Sequence, residues 1–497
     1  MEHKTFSDWQ QFAAQLNIEG RAFIDGAYCN AASGRTFDCV SPIDGKVLAA
    51  VADCGEADIE AAVGAARRAF DQQVWAGQNP RQRKAVLLRW AALMREHLDE
   101  LALLESLDAG KPIGDTATVD VPGAAYCVEW FAEAIDKVGG EVVPADHHLV
   151  GLVTREPIGV VAAVVPWNFP ILMASWKFGP ALAAGNSVVL KPSEKSPLTA
   201  IRVAQLAHEA GIPAGVFNVV PGGGEPGKLL ALHHDVDCLA FTGSTNVGKL
   251  IMQYAGQSNL KRVWLELGGK SPNIVMPDCP DLDRAARAAA SAIFYNMGEM
   301  CTAGSRLLVH RDIKDAFLER LVAAARSYTP GHPLDPGTSM GAIVDQVQLE
   351  RVLGYIDAGR DEAKLLLGGS RVNPIDGGFY IEPTIFDVRS GDARIAREEI
   401  FGPVLSVITF DSADEAVRIA NASEYGLAAA VWTANLTTAH EMARRLRAGT
   451  VWVNCYDEGG DMNFPFGGYR QSGNGRDKSL HALEKYTELK STLVRLR

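Results

Sequence analysis

What the 497-residue chain lacks narrows its function before any motif is read. Its eight cysteines, at 29, 39, 54, 127, 238, 279, 301 and 455, form no C-x-x-C pair and no paired spacing. They read as reduced thiols of a cytoplasmic protein, not as a disulfide framework. The eleven histidines make no H-E-x-x-H or Cys/His cluster, so no metal site is expected. The opening residues, Met1 to Asp8, have none of the apolar core of a signal peptide. The longest apolar region, Ile171 to Leu190, is interrupted by Lys177, Gly179, Pro180, Gly185 and Asn186, too often to span a bilayer. There is no excess of basic residues: the formal net charge is −12, which argues against nucleic acid. An acidic surface suits a cationic substrate, but most of such a charge serves solubility.

What is present belongs to a globular protein. Hydrophobic residues make up 47% and charged residues 22%, and the length predicts two or three domains. Ile59, Val63, Ala66 and Phe70 fall on one helical face, and Leu87, Leu88, Ala91, Leu93 and Met94 begin a helix expected to continue toward Leu107. From residue 151, short apolar runs alternate with helices. Strands are expected at 159–165, 187–190, 216–220 and 238–241, with helices at 200–210 and 228–233. A second alternation puts strands at 273–276 and 306–309 and helices at 282–294 and 314–325. This is an α/β chain with a doubly wound, Rossmann-like sheet followed by a second α/β domain. The stretches 329–341 and 373–378 read as loops.

Two isolated polar residues carry the chemistry. Glu266 interrupts the apolar run Val263, Trp264, Leu265, Leu267, which ends in Gly268-Gly269. Cys301 follows a long apolar helix and is flanked by Thr302, Ala303 and Gly304. A lone buried Cys is usually a small hydrophobe. A thiol that attacks a carbonyl and a carboxylate that activates water would together make thioester chemistry.

Two glycine-rich segments bear on a cofactor. Residues 222–227 match G-x-G-x-x-G between a strand and a helix, but no acidic ribose ligand follows at the required distance. Residues 243–249 nearly spell a P-loop, yet Leu250 stands where Ser or Thr must hold magnesium, which argues against an ATPase. The helix 246–254 after Phe241-Thr242-Gly243-Ser244 still offers free N–H groups to a pyrophosphate, or Ser244 serves only as a cap.

Seven ordered pieces extend the pattern: VPWNFP at 165–170, LKPSE at 190–194, FTGST at 241–245, LELGGKSP at 265–272, GEMCTA at 298–303, EEIFGPV at 398–404 and PFGGYRQSG at 465–473. In these, over nearly its whole length, the chain resembles the aldehyde dehydrogenase superfamily. The resemblance implies an NAD-binding domain of residues 1–132 and 153–265 and a catalytic domain of 266–476. It also implies a small β oligomerisation arm of 133–152 and 477–497, and a homodimer or homotetramer. Cys301 would be the nucleophile, Asn168 and the Cys301 N–H the oxyanion donors, and Glu266 the base, with Lys177 and Lys270 in support. The cofactor would lie against Pro166, Trp167, Lys191, Ser193, Glu194, Gly224, Gly243, Ser244, Leu267, Glu399 and Phe401. A carboxylate at Glu194 beside the ribose favours NAD over NADP, which is the weaker alternative. Asp477 stands where many relatives have Glu in a proton relay, and is expected to reach Lys270 only through water.

The segment NGRDKSLHALEKYTELK resembles a subgroup of polyamine catabolism that oxidises γ-glutamylaminobutyraldehyde, 4-guanidinobutyraldehyde and related ω-amino aldehydes. Asp457, Glu458 and Asp461, beside Tyr456 in the loop 453–461, could attract an ammonium or guanidinium, or form only a solvated acidic loop. Asp120 is a further candidate, and Trp176 and Phe466 are candidate aromatic walls. The competing readings are a broad aliphatic or aromatic aldehyde dehydrogenase and an inactive NAD-binding structural protein. Intact Cys301, Glu266 and Asn168 argue against the last.

Overall fold

Short runs of Val, Ala and Leu flanked by turn residues become strands buried along their whole length. The computed structural model describes residues 4–458 and 461–497. Met1 to His3 of the N-terminal reading, and Gly459-Gly460 in the acidic loop, lie outside the described residues.

The first sheet contains β1 (Ala22–Ile24), β2 (Ala27–Cys29), β3 (Val160–Val164), β4 (Ser187–Lys191), β5 (Phe217–Val219), β6 (Cys238–Thr242) and β7 (Arg262–Glu266). Its order is β7-β6-β3-β4-β5-β1-β2, parallel from β7 to β5 and antiparallel at β1 and β2. β3, β4 and β6 are buried at every position, as expected where helices cover both faces. The chain winds outward from β3 in both directions, so a crevice opens between the carboxyl ends of β3 and β6.

The second sheet contains β8 (Pro272–Val275), β9 (Arg306–His310), β10 (Ala363–Leu367), β11 (Thr384–Val388), β12 (Val404–Phe410), β13 (Ala428–Trp432) and β14 (Thr450–Val453). Its order is β10-β11-β12-β9-β8-β13-β14, parallel except for β10. A third sheet pairs Thr487–Arg495 antiparallel with Leu149–Pro157, which also pairs with Glu141–Val143. The Leu149–Pro157 strand runs five residues past the bound of 152 read from sequence. Val142, Leu489, Leu493 and Leu496 of this region are exposed.

Two expectations change. The helix read from Leu87 toward Leu107 is two helices, Pro80–Glu96 and Leu98–Ala109, because His97 leaves helical geometry at φ −100° and ψ 23°. The early chain also holds strands that helical periodicity hid: β1 and β2 at the sheet edge, and a hairpin of Thr36–Val40 with Val47–Ala52. Among the described residues no helix is long and apolar enough to cross a membrane.

Candidate active site

The carboxyl ends of the first sheet meet the amino ends of the second. Glu266 is the last residue of β7, and Leu267-Gly268-Gly269 leads from it toward β8. The Cys301 loop leads into β9, and Glu399-Ile400-Phe401 leads into β12. The two glycines are where these loops converge. A Cβ on Gly268 would lie 2.2 Å from Glu399 Oε2, and one on Gly269 would lie 2.3 Å from the Cys301 carbonyl oxygen. The Gly269 N–H donates to Glu399 Oε1 at 2.8 Å. Close backbone approach is what these positions require.

A tight left-handed turn delivers Cys301. Asn296, Met297 and Gly298 have φ of 47°, 55° and 72°. Each non-glycine residue there costs about 1–2 kcal/mol, so the turn must be held from outside. Asn296 Nδ2 donates to the carbonyls of Asn168 and Glu299, both at 3.1 Å. Asn168 Nδ2 donates to the Glu299 carbonyl at 2.8 Å, and Lys111 Nζ to the Asn168 carbonyl at 3.2 Å. Asn168 is thereby fixed beside the Cys301 loop, and its amide carries a second hydrogen to offer.

Burial dominates the electrostatics. It pushes the Cys301 thiol up to about 12, with Glu399, Glu266 and Asp457 adding to the shift. Burial and then Asp477 raise Glu266 to about 8, against the pull of Lys177, Lys485 and Arg476. Among the described residues, neither Glu266 oxygen has a hydrogen-bond partner. Asp477 does not approach Lys270 as expected: it is bonded to Lys177 and Lys485. Burial works to raise its carboxyl, but the two lysines outweigh it and hold it below the usual range. Lys270 is buried, its amine lacks a hydrogen-bond partner, and burial followed by Arg306 brings it down to about 7.

The residues proposed for a cofactor gather at the carboxyl ends of the first sheet. Pro166 and Trp167 follow β3, Lys191 ends β4, and Ser193 and Glu194 follow it. Gly224 follows β5, and Gly243 and Ser244 follow β6. Ser244 caps the helix Thr245–Gln257, accepting from the Val247 N–H at 3.4 Å. A Cβ on Gly223 or Gly224 would meet nothing within 4 Å, which leaves room over that turn. Lys191 Nζ lies 3.4 Å from Glu194 Oε2, and Lys195 is engaged by Asp345 at 2.7 Å. Trp167 and Phe401 meet edge to face, 5.2 Å between centroids. Leu267 is buried against Gly248. A capped helix N-terminus for phosphate, a Lys/Glu pair for ribose hydroxyls and an aromatic end fit a dinucleotide.

The proposed substrate residues separate. Trp176 and Phe466 pack 5.0 Å apart. Tyr456 does not turn its hydroxyl to a substrate: buried, it donates to the Thr302 carbonyl at 2.6 Å and braces the Cys301 loop. Glu458 is not turned to a substrate either, because it pairs with Arg284 at 3.1 Å on the surface. Asp461, exposed, accepts from Asn463 Nδ2 at 2.8 Å. Asp120 is buried and paired with Lys111 at 2.8 Å, which itself sits 3.5 Å over the Phe169 ring. Asp457 alone of the loop acts on Cys301. Burial raises its carboxyl, with Lys478 pulling the other way. Sequence reasoning missed Lys478, whose ammonium lies 4.5 Å over Trp176 and 5.6 Å from Phe466. It missed Lys111 and Lys485 too, and nothing in their local sequence marks them as buried.

The chain belongs to the aldehyde dehydrogenase family, whose profile it matches over residues 28–492. Over 489 residues it is 54% identical to the NADP/NAD-dependent aldehyde dehydrogenase PuuC of Escherichia coli (strain K12), covering 98% of each chain. Among solved structures, the γ-glutamyl-γ-aminobutyraldehyde dehydrogenase of Burkholderia cenocepacia J2315 matches with a TM-score of 0.99 and 85% identity, covering 99% of this chain and all of that one. The indole-3-acetaldehyde dehydrogenase AldA of P. syringae, solved with NAD+ and IAA, matches at 0.98 and 62% identity with the same coverage.

Proposed function

We propose that the protein oxidises an ω-amino or ω-guanidino aldehyde, such as γ-glutamylaminobutyraldehyde or 4-guanidinobutyraldehyde, to its carboxylic acid, using NAD in preference to NADP. One observation carries this reading. The Cys301 thiol and the buried Glu266, whose carboxylate oxygens have no hydrogen-bond partner among the described residues, lie close enough to act on one another, beside a site suited to a dinucleotide. The 85%-identical Burkholderia cenocepacia structure is named for γ-glutamyl-γ-aminobutyraldehyde, which supports the substrate class.

In this reading Cys301 first releases its thiol proton to solvent, and its thiolate Sγ then bonds to the aldehyde carbon, whose carbonyl π-bond opens to the oxyanion. The second N–H of Asn168 and the Cys301 N–H meet the oxyanion, and each such donor is typically worth about 3 kcal/mol. Bound NAD supplies the hydride acceptor, held by Lys191, Glu194, Ser244 and Glu399. Cys301 is then a thioester. Glu266 takes a proton from a water whose oxygen attacks the acyl carbon, and Cys301 leaves as the acid forms. Lys177, paired with Asp477, offers Glu266 a nearby positive charge.

Residues 1–132 and 153–265 would form the cofactor domain and 266–476 the catalytic domain. The exposed apolar side chains of the 133–152 and 477–497 arm would pack on a second copy in a cytoplasmic homodimer or homotetramer. A second reading, a broad aliphatic or aromatic aldehyde dehydrogenase, is favoured by one feature: Lys478 already sets a cation over Trp176.

The test is NADH absorbance with enzyme, NAD and a panel of γ-glutamylaminobutyraldehyde, 4-aminobutyraldehyde, 4-guanidinobutyraldehyde, propanal and benzaldehyde. The first three should have the highest kcat/KM. Equal values across the panel would favour the second reading, and no NADH with any aldehyde would overturn both.

A further inference from the structure

Behind Glu266 the protein buries two lysines and a second carboxylate. Asp477 Oδ2 bonds Lys177 Nζ and its Oδ1 bonds Lys485 Nζ, with all three side chains at most 3% exposed. They come from distant elements. Lys177 lies in the helix Pro170–Ala183, Asp477 in the segment after PFGG, and Lys485 just past the short helix His481–Glu484. Glu266 senses all three, and Arg476 as well. The Arg476 guanidinium is held to one side by the carbonyls of Gly468 and Gly475, at 2.9 and 2.6 Å. Lys478, next to Asp477, also acts on Asp477 and Cys127, while Tyr486, Cys127 and Cys238, as a phenol and two thiols pushed up by burial, stay neutral at ordinary pH. The fully buried side chains, Lys177, Lys485, Asp477 and Glu266, therefore have two charges of each sign, with the half-buried cations Arg476 and Lys478 at their edge.

We propose that Lys485 is a positioning residue for the hydrolytic half-reaction, neutralising Asp477 so that the charge of Lys177 is left to balance Glu266. This rests on the reading of Glu266 as the water-activating base. An ionised carboxylate without a balancing charge is costly in an interior. Without Lys485, Asp477 claims Lys177, and ionising Glu266 leaves a net negative charge on the fully buried side chains, balanced only from the half-buried edge. The aspartate is one methylene shorter than a glutamate, and both lysines converge on it. If Lys485 only pinned the C-terminal segment, its loss would change stability without moving a pH profile.

The test uses the full-length enzyme with NAD and propanal, which carries no charge of its own. In Lys485→Met, the first turnover should still give a burst of about one NADH per Cys301. Steady-state kcat at pH 7 should fall about tenfold, with KM little changed, and the rising limb of the pH profile should move up by about one unit. Asp477→Asn/Lys485→Met removes one charge of each sign and should bring the limb back toward wild type. Asp477→Asn alone leaves two lysines for Glu266 and should move the limb to lower pH. It tests the same idea if Lys485→Met does not fold. An unmoved limb in the folded single variants overturns the proposal, as does identical behaviour of Lys485→Met and the double variant. Glu266→Gln separates the two levels. If it turns over normally without a burst, the base assignment falls and takes this proposal with it. If it bursts and stalls while Lys485→Met keeps the wild-type limb, only the role of Lys485 falls.

Discussion

Neutralising Asp457 should discriminate between aldehydes by charge. Of the loop's three carboxylates it is the one that acts on Cys301, whereas Glu458 is taken up by Arg284 and Asp461 by Asn463. A charge-assisted hydrogen bond to an ammonium or guanidinium is worth about 1.5–3 kcal/mol, so Asp457→Asn should lower kcat/KM for 4-guanidinobutyraldehyde by about ten- to a hundredfold. Lys478 adds to the loss, because its ammonium, no longer opposed by Asp457, repels a cationic substrate near Trp176 and Phe466. One effect runs the other way. Asp457 helps raise the Cys301 thiol, so its removal eases thiolate formation for every aldehyde alike. The ratio of kcat/KM for 4-guanidinobutyraldehyde to that for propanal cancels this common gain and is the quantity to measure. Glu458→Gln is the control. It breaks an exposed ion pair of small value and should change the ratio by less than about twofold. Equal losses for both aldehydes in Asp457→Asn would refute the reasoning, as would a Glu458→Gln effect of the same size.

Glu266→Gln should give one burst of NADH and then turn over about 10²–10⁴-fold more slowly, by rapid mixing. A base must be ionised to act, and burial with Asp477 raises this one to about 8. Wild-type deacylation should therefore increase as pH rises through about 8, a limb the Gln variant should lack. Glu194→Ser leaves Lys191 without its carboxylate partner and should raise the NADP to NAD ratio of kcat/KM by about tenfold; an unchanged ratio removes Glu194 from the ribose. Tyr456→Phe strands the Thr302 carbonyl and should cost about 1–3 kcal/mol in denaturant unfolding while lowering kcat for all aldehydes alike. A KM change confined to one aldehyde class, with stability intact, would return Tyr456 to the substrate-binding residues.

The central strands of the first sheet, and β8 and β9 of the second, were readable because parallel strands buried on two faces are continuous apolar words, as β3, β4 and β6 are; β1, β2 and β10 to β14 were not read as strands. Cys301 and Glu266 stood out for the opposite reason, as polar residues where packing asks for none. Pairing was not readable. Asp477 and Lys177 are 300 positions apart, and Glu458 and Arg284 are 174 apart. A charge written beside a proposed site can be neutralised by a partner from anywhere in the chain, which is how Glu458 read as a receptor and Asp477 as a neighbour of Lys270. Tyr456 shows the limit for aromatics. Its place in the sequence does not tell what its hydroxyl meets, and here the hydroxyl faces Thr302.

The convergence of three loops on Gly268 and Gly269 also sets how this enzyme can be altered. Any side chain at these two positions strikes Glu399 or the Cys301 carbonyl, so one substitution would disturb the loops that carry both. Neither loop can be lengthened or exchanged alone without losing its fit to the same backbone. Laboratory evolution toward new aldehydes should hold residues 265–269 constant and diversify Trp176, Asp457, Phe466 and Lys478. Homologous recombination should keep 265–269, 296–302 and 399–402 from one parent, since chimaeras that mix them would bring together surfaces that never packed on one another.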